Sequence, residues 1–310
     1  MTRTYNHVAV LMGGWSAERP VSLNSGAACA EALESVGYRV TRIDVDRQLA
    51  ARLREVKPDA VFNALHGRGG EDGCVQGLLE VMGIPYSHSG VLSSALAMHK
   101  QRAKNVMAAA GIPVAEGRVV SRREAVRAHV MARPYVLKPV AEGSSFGVHI
   151  VREDHAHPPQ ELNAPEWAYG EELLAERYIA GREFTCAVID GTATDVIEVL
   201  PVGLEFYNYE AKYAVGGSKH ILPAPVSSKI YSSIQELTLL AHKALGCRGV
   251  SRADFRWDDR AGVAGEPICL EVNTQPGMTG TSLVPELGAH RGLSFGELVS
   301  WIVEDASLDR

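Results

Sequence analysis

Cysteine is scarce and scattered in this sequence. The five residues, Cys29, Cys74, Cys186, Cys247 and Cys269, are odd in number and contain no C-x-x-C pair, which excludes a disulfide scaffold and gives no zinc or dithiol motif. They are expected to be reduced and mostly buried thiols. Long apolar runs are missing as well: the longest stretch without Asp, Glu, Lys or Arg, Val81 to His99, is broken by Gly83, Pro85, Ser87, His88 and Gly90 and does not span a bilayer. The apolar run Val8–Met12 is too brief for a signal-peptide core, so the expected location is the cytoplasm. Lys and Arg number 31 against 37 Asp and Glu, without a basic cluster, which leaves no electrostatic footprint for nucleic acid. No Gly-Lys dipeptide occurs, excluding a P-loop, and no G-x-G-x-x-G follows a strand, which removes a Rossmann dehydrogenase.

What is present describes a globular chain: 310 residues, 46% hydrophobic, with 30 Gly. Length alone suggests about two domains. From Val8 to Met82 the pattern alternates: strand Val8–Met12, helix Ser22–Val36, strand Arg39–Val45, a short helix, strand Ala60–Leu65, helix Val75–Met82. Such βαβα order predicts a parallel sheet with ligands at the carboxyl ends of its strands. Those ends carry two polar glycine loops, Gly13-Gly14-Trp15-Ser16-Ala17-Glu18 and His66 through Gly73, which should face one cleft. Further on, helices are expected over Lys100–Ala110 and Arg122–Met131, with His155–Pro165 as a surface loop or linker. Strands are expected at Tyr135–Lys138, Leu173–Glu176, Glu183–Ile189, Asp195–Leu200, Ala253–Trp257 and Ile268–Val272, and helices over about Ser228–Leu245 and near Phe295–Val303.

Gly143-Ser144-Ser145-Phe146-Gly147 matches the G-x-S-x-G nucleophile elbow, but the elbow requires a following helix and Val148–Val151 reads as a strand. A glycine loop between strands better suits a flap whose amides meet phosphates, and Lys138 and Lys100 sit near it in sequence. Either lysine by itself could be a solvated surface residue. Near the C-terminus, Arg252 and Asp254 share one strand face by period two, as do Glu271 and Asn273, 17 residues beyond Asp254 for the first of them. Two carboxylates and an amide oxygen are suitable hard ligands for Mg²⁺; a buried ion pair with Arg252, or solvated strand ends, is the plain alternative. Glu18, His66 and Tyr213 complete the candidates, and each also has an ordinary structural explanation.

Together, Gly13 through Arg19 with Val21-Ser22, Ala64 through Gly73, Glu142 through Ser145, Tyr209 through Tyr213, and Glu271 through Thr274 with Pro276 through Thr279 resemble the D-alanine-D-alanine ligase family. Five motifs match in order, over most of the chain. The resemblance implies a three-domain α/β ATP-grasp fold. An N-terminal parallel-sheet domain (1–95) would precede two α+β units (96–178 and 179–310) that clamp ATP. It implies joining of two D-alanines through an acyl phosphate for peptidoglycan precursors, by a cytoplasmic homodimer. By the same resemblance Glu18 and His66 would hold the first D-alanine, with Ser144 and Tyr213 completing a hydrogen-bonded triad with Glu18. Lys100, Lys138 and Lys212 would meet the phosphates, and Glu176 and Glu183 the adenine and ribose. Asp254, Glu271 and Asn273 would bind two Mg²⁺ or Mn²⁺ ions. Arg252 and the Gly277 N–H would stabilise the reacting charge, and Ser282 would receive the second D-alanine. The chain departs from the family pattern at Gln275, where serine is more familiar, at His99, where an acid is common, and at Arg177, in place of lysine. Other acceptors, D-lactate or D-serine, another ATP-grasp carboxylate-amine ligase and a non-catalytic nucleotide-binding module are the alternatives. Tyr213 favours an amine acceptor over D-lactate, where the family commonly has phenylalanine. The segment Tyr207–Leu222, with Gly216-Gly217, has the length for a lid.

Overall fold

The chain is described from a computed structural model over residues 3–202, 216–260 and 265–310. β1 (His7–Met12) is buried along its whole length, as expected of a strand covered on both faces. β2 (Arg39–Asp44) and β3 (Ala60–Asn63) pair with it in parallel, in the order β2-β1-β3. The connections are α1 (Arg19–Ser35) and α2 (Leu49–Val56), and α3 (Cys74–Met82) follows β3. Two consecutive helices then lead away, α4 (Val91–Met98) and α5 (Lys100–Ala109).

The second sheet is antiparallel, in the order β4-β7-β5-β6, from β4 (Gly117–Ser121), β5 (Tyr135–Pro139), β6 (His149–Val151) and β7 (Glu172–Arg177). α6 (Arg122–Arg127) follows β4 directly, opened by a Ser121–Glu124 capping box. The third sheet is also antiparallel. Its order is β10-β9-β8-β11-β12, formed by β8 (Arg182–Ile189), β9 (Thr192–Pro201), β10 (Ser218–Ile221), β11 (Ser251–Trp257) and β12 (Ile268–Asn273). α7 (Ser228–Ala244) and α5 pack on it around Met107, Phe184, Ile234 and Phe255.

The last helices, α8 (Leu283–His290) and α9 (Phe295–Glu304), return to the parallel sheet. Leu287, Leu298 and Ile302 share one core with Val8, Val10 and Leu33, and also with Ala187 and Ile197 of the third sheet. This packing brings the loop after β12 beside the carboxyl ends of β1 and β3. Burial of this apolar surface, at about 25 cal/mol per Å², is what fixes the loops relative to each other.

Several elements differ from the sequence expectation. α1 begins at Arg19, because Pro20 is at its first turn, where a missing N–H costs nothing. α6 ends at Arg127 rather than Met131: Ala128 is extended, the Val130 carbonyl accepts from Arg118 (3.3 Å) and the His129 ring meets the Tyr135 hydroxyl (3.1 Å). The 155–165 segment contains a 3₁₀ turn, Gln160–Asn163, whose Leu162 is fully buried. Of the cysteines, four are buried, Cys74 is exposed, and all are free thiols. No helix among the described residues is long and apolar enough to cross a membrane.

Candidate active site between the three sheets

Glu18 is the N-cap of α1, where a carboxylate faces the helix dipole, and it is only 5% exposed. Ser16 orients its loop, accepting from the Glu18 N–H (3.1 Å) and donating to the His66 carbonyl (2.6 Å). His66, just past β3, is held by two side chains: Nδ1 lies 3.2 Å from Glu71 Oε1 and Nε2 3.2 Å from Ser25 Oγ. The other Glu71 oxygen accepts from the Gly67 N–H (2.8 Å). Burial disfavours the imidazolium, but the hydrogen bond and charge of Glu71, joined by Glu18, outweigh it and hold His66 above its ordinary value.

The loop between β5 and β6 reaches this pair. Ser144 donates its hydroxyl to the Glu18 carboxylate. Gly143 passes so close that a Cβ there would lie 2.4 Å from Glu18 Oε1. Ser144 and Ser145 both adopt left-handed backbone, φ 48° and 60°, at a cost of about 1–2 kcal/mol each. An aromatic group backs the strained loop: Phe146 stacks on Tyr169 (6.0 Å between centroids), and Tyr169 meets Trp167 edge-on (5.0 Å).

β11 and β12 supply the opposite wall. Their register sets Arg252 opposite Asn273 and Asp254 opposite Glu271, so the two faces inferred separately from sequence are one sheet face. Arg252 binds Asp254 through Nε (2.8 Å) and Nη2 (2.7 Å), and Thr185 (2.7 Å) and Asn273 (3.2 Å) donate to the same carboxylate. Across the cleft, Glu176 is 3% exposed and bridges two lysines, Lys104 at 2.6 Å and Lys138. Burial opposes charge on Lys138, yet Glu176 and Glu271 hold its ammonium above the ordinary lysine value. Burial likewise opposes ionisation of Glu176, but Lys138 and Lys104 keep its carboxyl below the usual range. Lys100 donates to the Glu142 carbonyl and lies 3.9 Å from Glu271.

These groups line two adjoining cavities. One, between the second and third sheets, is lined by Lys100, Lys138, Glu176, Glu183, Asp254 and Glu271 among others. The second is lined by Glu18, His66, Ser144, Arg252, Gly277 and Ser282, again with Glu271. Ser282 is the N-cap of α8 and accepts from the Thr279 N–H (2.9 Å). Lys212, Tyr213 and the rest of 207–215 in the expected lid Tyr207–Leu222 lie outside the described residues. Among the described residues no three His, Cys, Asp or Glu side chains group as metal ligands. Asp254, Glu271 and Asn273 nevertheless form an all-oxygen donor set of the kind that suits a hard divalent cation.

A family description of the D-ala D-ala ligase C-terminus matches residues 106–304, and one of the D-ala D-ala ligase N-terminus matches 48–89. The D-alanine-D-alanine ligase of Afipia carboxidovorans is 67% identical over 98% of both chains, and that of Agrobacterium fabrum is 64% identical over 97% of this chain and 98% of its own. The chain belongs to the D-alanine-D-alanine ligase family. Its ATP-grasp fold is shared with the crystal structure of D-alanine-D-alanine ligase from Bacillus anthracis, at 31% identity and a TM-score of 0.80 over 96% of each chain. The same enzyme complexed with ATP aligns with a TM-score of 0.79 at 29% identity, also over 96% of each chain.

Four residues that line or brace the candidate site were not singled out from sequence: Glu71, Glu142 and Arg256 in the cavity walls, and Lys104 against Glu176. Lys104 was accessible in principle, since it stands four residues after Lys100 and so on the same helix face. Arg256 continues the Arg252, Asp254 alternation.

Proposed function

We propose that this chain joins two D-alanines into D-alanyl-D-alanine, converting ATP to ADP and phosphate, and that the product supplies peptidoglycan precursors. One observation carries this reading: a cleft with Lys100 and Lys138 in its walls adjoins a cavity walled by Glu18, His66 and Arg252, and Glu271 borders both. A phosphoryl group leaving a nucleotide in the first would thus meet a carboxylate in the second. The ordinary carboxylate is inert to amines because its oxygen leaves poorly, and phosphorylation removes that obstacle.

Lys100, Lys138 and Lys212 take the phosphates, while Glu176 and Glu183 border the adenine and ribose. Lys104 neutralises one side of Glu176, so the carboxylate does not repel the incoming polyanion. Glu18 receives the ammonium of the first D-alanine and His66 helps to orient that substrate. Its carboxylate oxygen attacks the γ-phosphorus, the bond to ADP breaks, and an acyl phosphate forms. Arg252 and the Gly277 N–H face the charge that gathers on the carbonyl oxygen when the second D-alanine, positioned by Ser282, attacks. The ammonium proton leaves before attack, to a phosphate oxygen or along Tyr213, Ser144 and Glu18; then the C–O bond to phosphate breaks. Asp254, Glu271 and Asn273 would hold Mg²⁺ or Mn²⁺, two ions in the family pattern, which offset the phosphate charge. The same reading makes the enzyme a cytoplasmic homodimer, with Tyr213 favouring D-alanine over D-lactate as acceptor.

The acyl-phosphate route is tested with D-alanine labelled by ¹⁸O in its carboxylate. One labelled oxygen should appear in the released phosphate for each dipeptide made; label retained wholly in the dipeptide and free D-alanine rules the route out.

A further inference from the structure

Arg256 has no place in the chemistry above, yet it lines the same cleft as Lys138 and Glu271. Alternation along β11 puts it on the face of Arg252 and Asp254, four residues on, at the end of the cleft away from the Glu18 cavity. Its register partner on β8 is Glu183, as Thr185 is the partner of Asp254. Arg256 Nη1 donates to Glu183 Oε2 (3.3 Å), Nη2 donates to the Gly181 carbonyl (2.8 Å), and the guanidinium lies over the Tyr178 ring, 5.3 Å from its centroid. Gly181 is fixed in turn: a Cβ there would lie 2.2 Å from the Trp257 carbonyl oxygen. The guanidinium is therefore held on three sides by a rigid frame.

One donor is left over. Arg256 Nε is buried and has no hydrogen-bond partner among the described residues. A buried N–H of a charged group without an acceptor is costly, which favours a ligand that supplies one. Val136, Val148, Ile150 and Leu270 make the neighbouring wall of the cleft apolar, suited to a base, whereas Glu183 and Arg256 make a polar margin. That margin couples a carboxylate acceptor to a guanidinium donor. A vicinal diol matches such a couple, because each hydroxyl both donates and accepts.

We infer that Arg256 is a specificity-determining residue that, with Glu183, reads the ribose diol of the nucleotide: Glu183 accepts from one hydroxyl and Arg256 Nε donates to the other. This deepens the proposed nucleotide use and rests on it. Arg256 also holds Glu183 in place and offsets its charge, so that the acid can stand near a polyanion.

The test is calorimetric binding of ATP, 2′-deoxy-ATP and 3′-deoxy-ATP to the full chain, the Arg256→Met and Arg256→Lys variants, with no D-alanine present. The parent should bind ATP roughly tenfold tighter than at least one deoxynucleotide, as expected for one lost charge-assisted hydrogen bond. In Arg256→Met that preference should fall towards one. Arg256→Lys, which keeps the charge and loses the Nε fork, should lose most of it too. Equal binding of ATP and both deoxynucleotides by the parent overturns the inference, as does full preference in either folded variant. A general weakening that leaves the ratios unchanged makes Arg256 merely structural and also overturns it. Should Arg256→Met not fold, the parent and Arg256→Lys decide. Failure of the parent to bind any of the three nucleotides would instead contradict the proposed function.

Discussion

Ser144 donates its hydroxyl to the Glu18 carboxylate, joining the glycine loop of the second sheet to the first helix of the parallel sheet across 126 residues of sequence. Both ends of the bond are prepared by the backbone. Glu18 is a buried N-cap, and Ser144 sits in a left-handed conformation that only a held loop keeps.

Gly143→Ala tests that contact. The new Cβ would meet the flexible end of Glu18 rather than any backbone, so the chain can keep its fold while the carboxylate is pushed aside. Ligation should drop by roughly 10²-fold, the scale of a 1 Å misplacement, with the melting temperature within a few degrees of the parent. Parent-like turnover would show that the Glu18 position is not critical.

Lys104→Met removes one of two cations from a carboxylate that is almost wholly buried. Leaving Glu176 with Lys138 alone should cost about 3 kcal/mol of stability, at the lower end for broken buried pairs, and weaken ATP binding as Lys138 is drawn fully to Glu176. Urea unfolding and nucleotide titration measure the two effects. A stability loss without a change in ATP affinity would confine Lys104 to the fold.

His66 gives a pH signature of definite sign. Because its folded value is raised above the ordinary 6.5, it contributes stability that is fully present below about pH 6.5 and is lost as pH rises through the folded value. Glu71→Gln removes the main opposing influence to burial, so the His66 proton resonance should titrate below its parent value and the stability difference between parent and variant should shrink at alkaline pH. An unshifted titration would mean that Glu71 does not set the charge of His66.

His88 behaves in the opposite sense. It is 2% exposed, both ring nitrogens lack partners among the described residues, and burial, with Arg310 and His66 nearby, depresses it to about 3. The unfolded chain takes up a proton below pH 6.5 that the folded chain refuses, so stability falls with acid over the window from 6.5 to about 3. At pH 5 the loss should be on the order of 2 kcal/mol. His88→Asn, tolerated at φ 69°, should flatten this acid limb in denaturant melts at pH 5 and 7. An identical slope in the variant would assign acid sensitivity to other groups.

The sequence is informative where period and burial coincide. Val8–Met12 and Ala60–Leu65 are largely apolar runs of strand length, each followed by a glycine loop, and His7–Met12 and Ala60–Asn63 are buried strands in the parallel sheet. The pairing of Arg252 and Asp254 with Asn273 and Glu271 was only half legible: alternation gives the face of each strand, while the register that unites them depends on a distant strand pairing. α4 and β10 were not read because neither shows its period. Val91–Met98 has no charged residue to mark a solvent face, and Ser218–Ile221 contains a single apolar residue. Glu71, Lys104 and Arg256 eluded the reading for a related reason, since a charged residue becomes informative only when burial and its partner are known.

The most direct test follows ADP, phosphate and dipeptide together with the intact chain, ATP, Mg²⁺ and D-alanine, beside L-alanine and Glu271→Gln controls. One ADP and one phosphate are expected for each D-alanyl-D-alanine, with little product from L-alanine and loss of all three products in Glu271→Gln despite an intact fold. ATP turnover without dipeptide, or none in the presence of D-alanine, would contradict it.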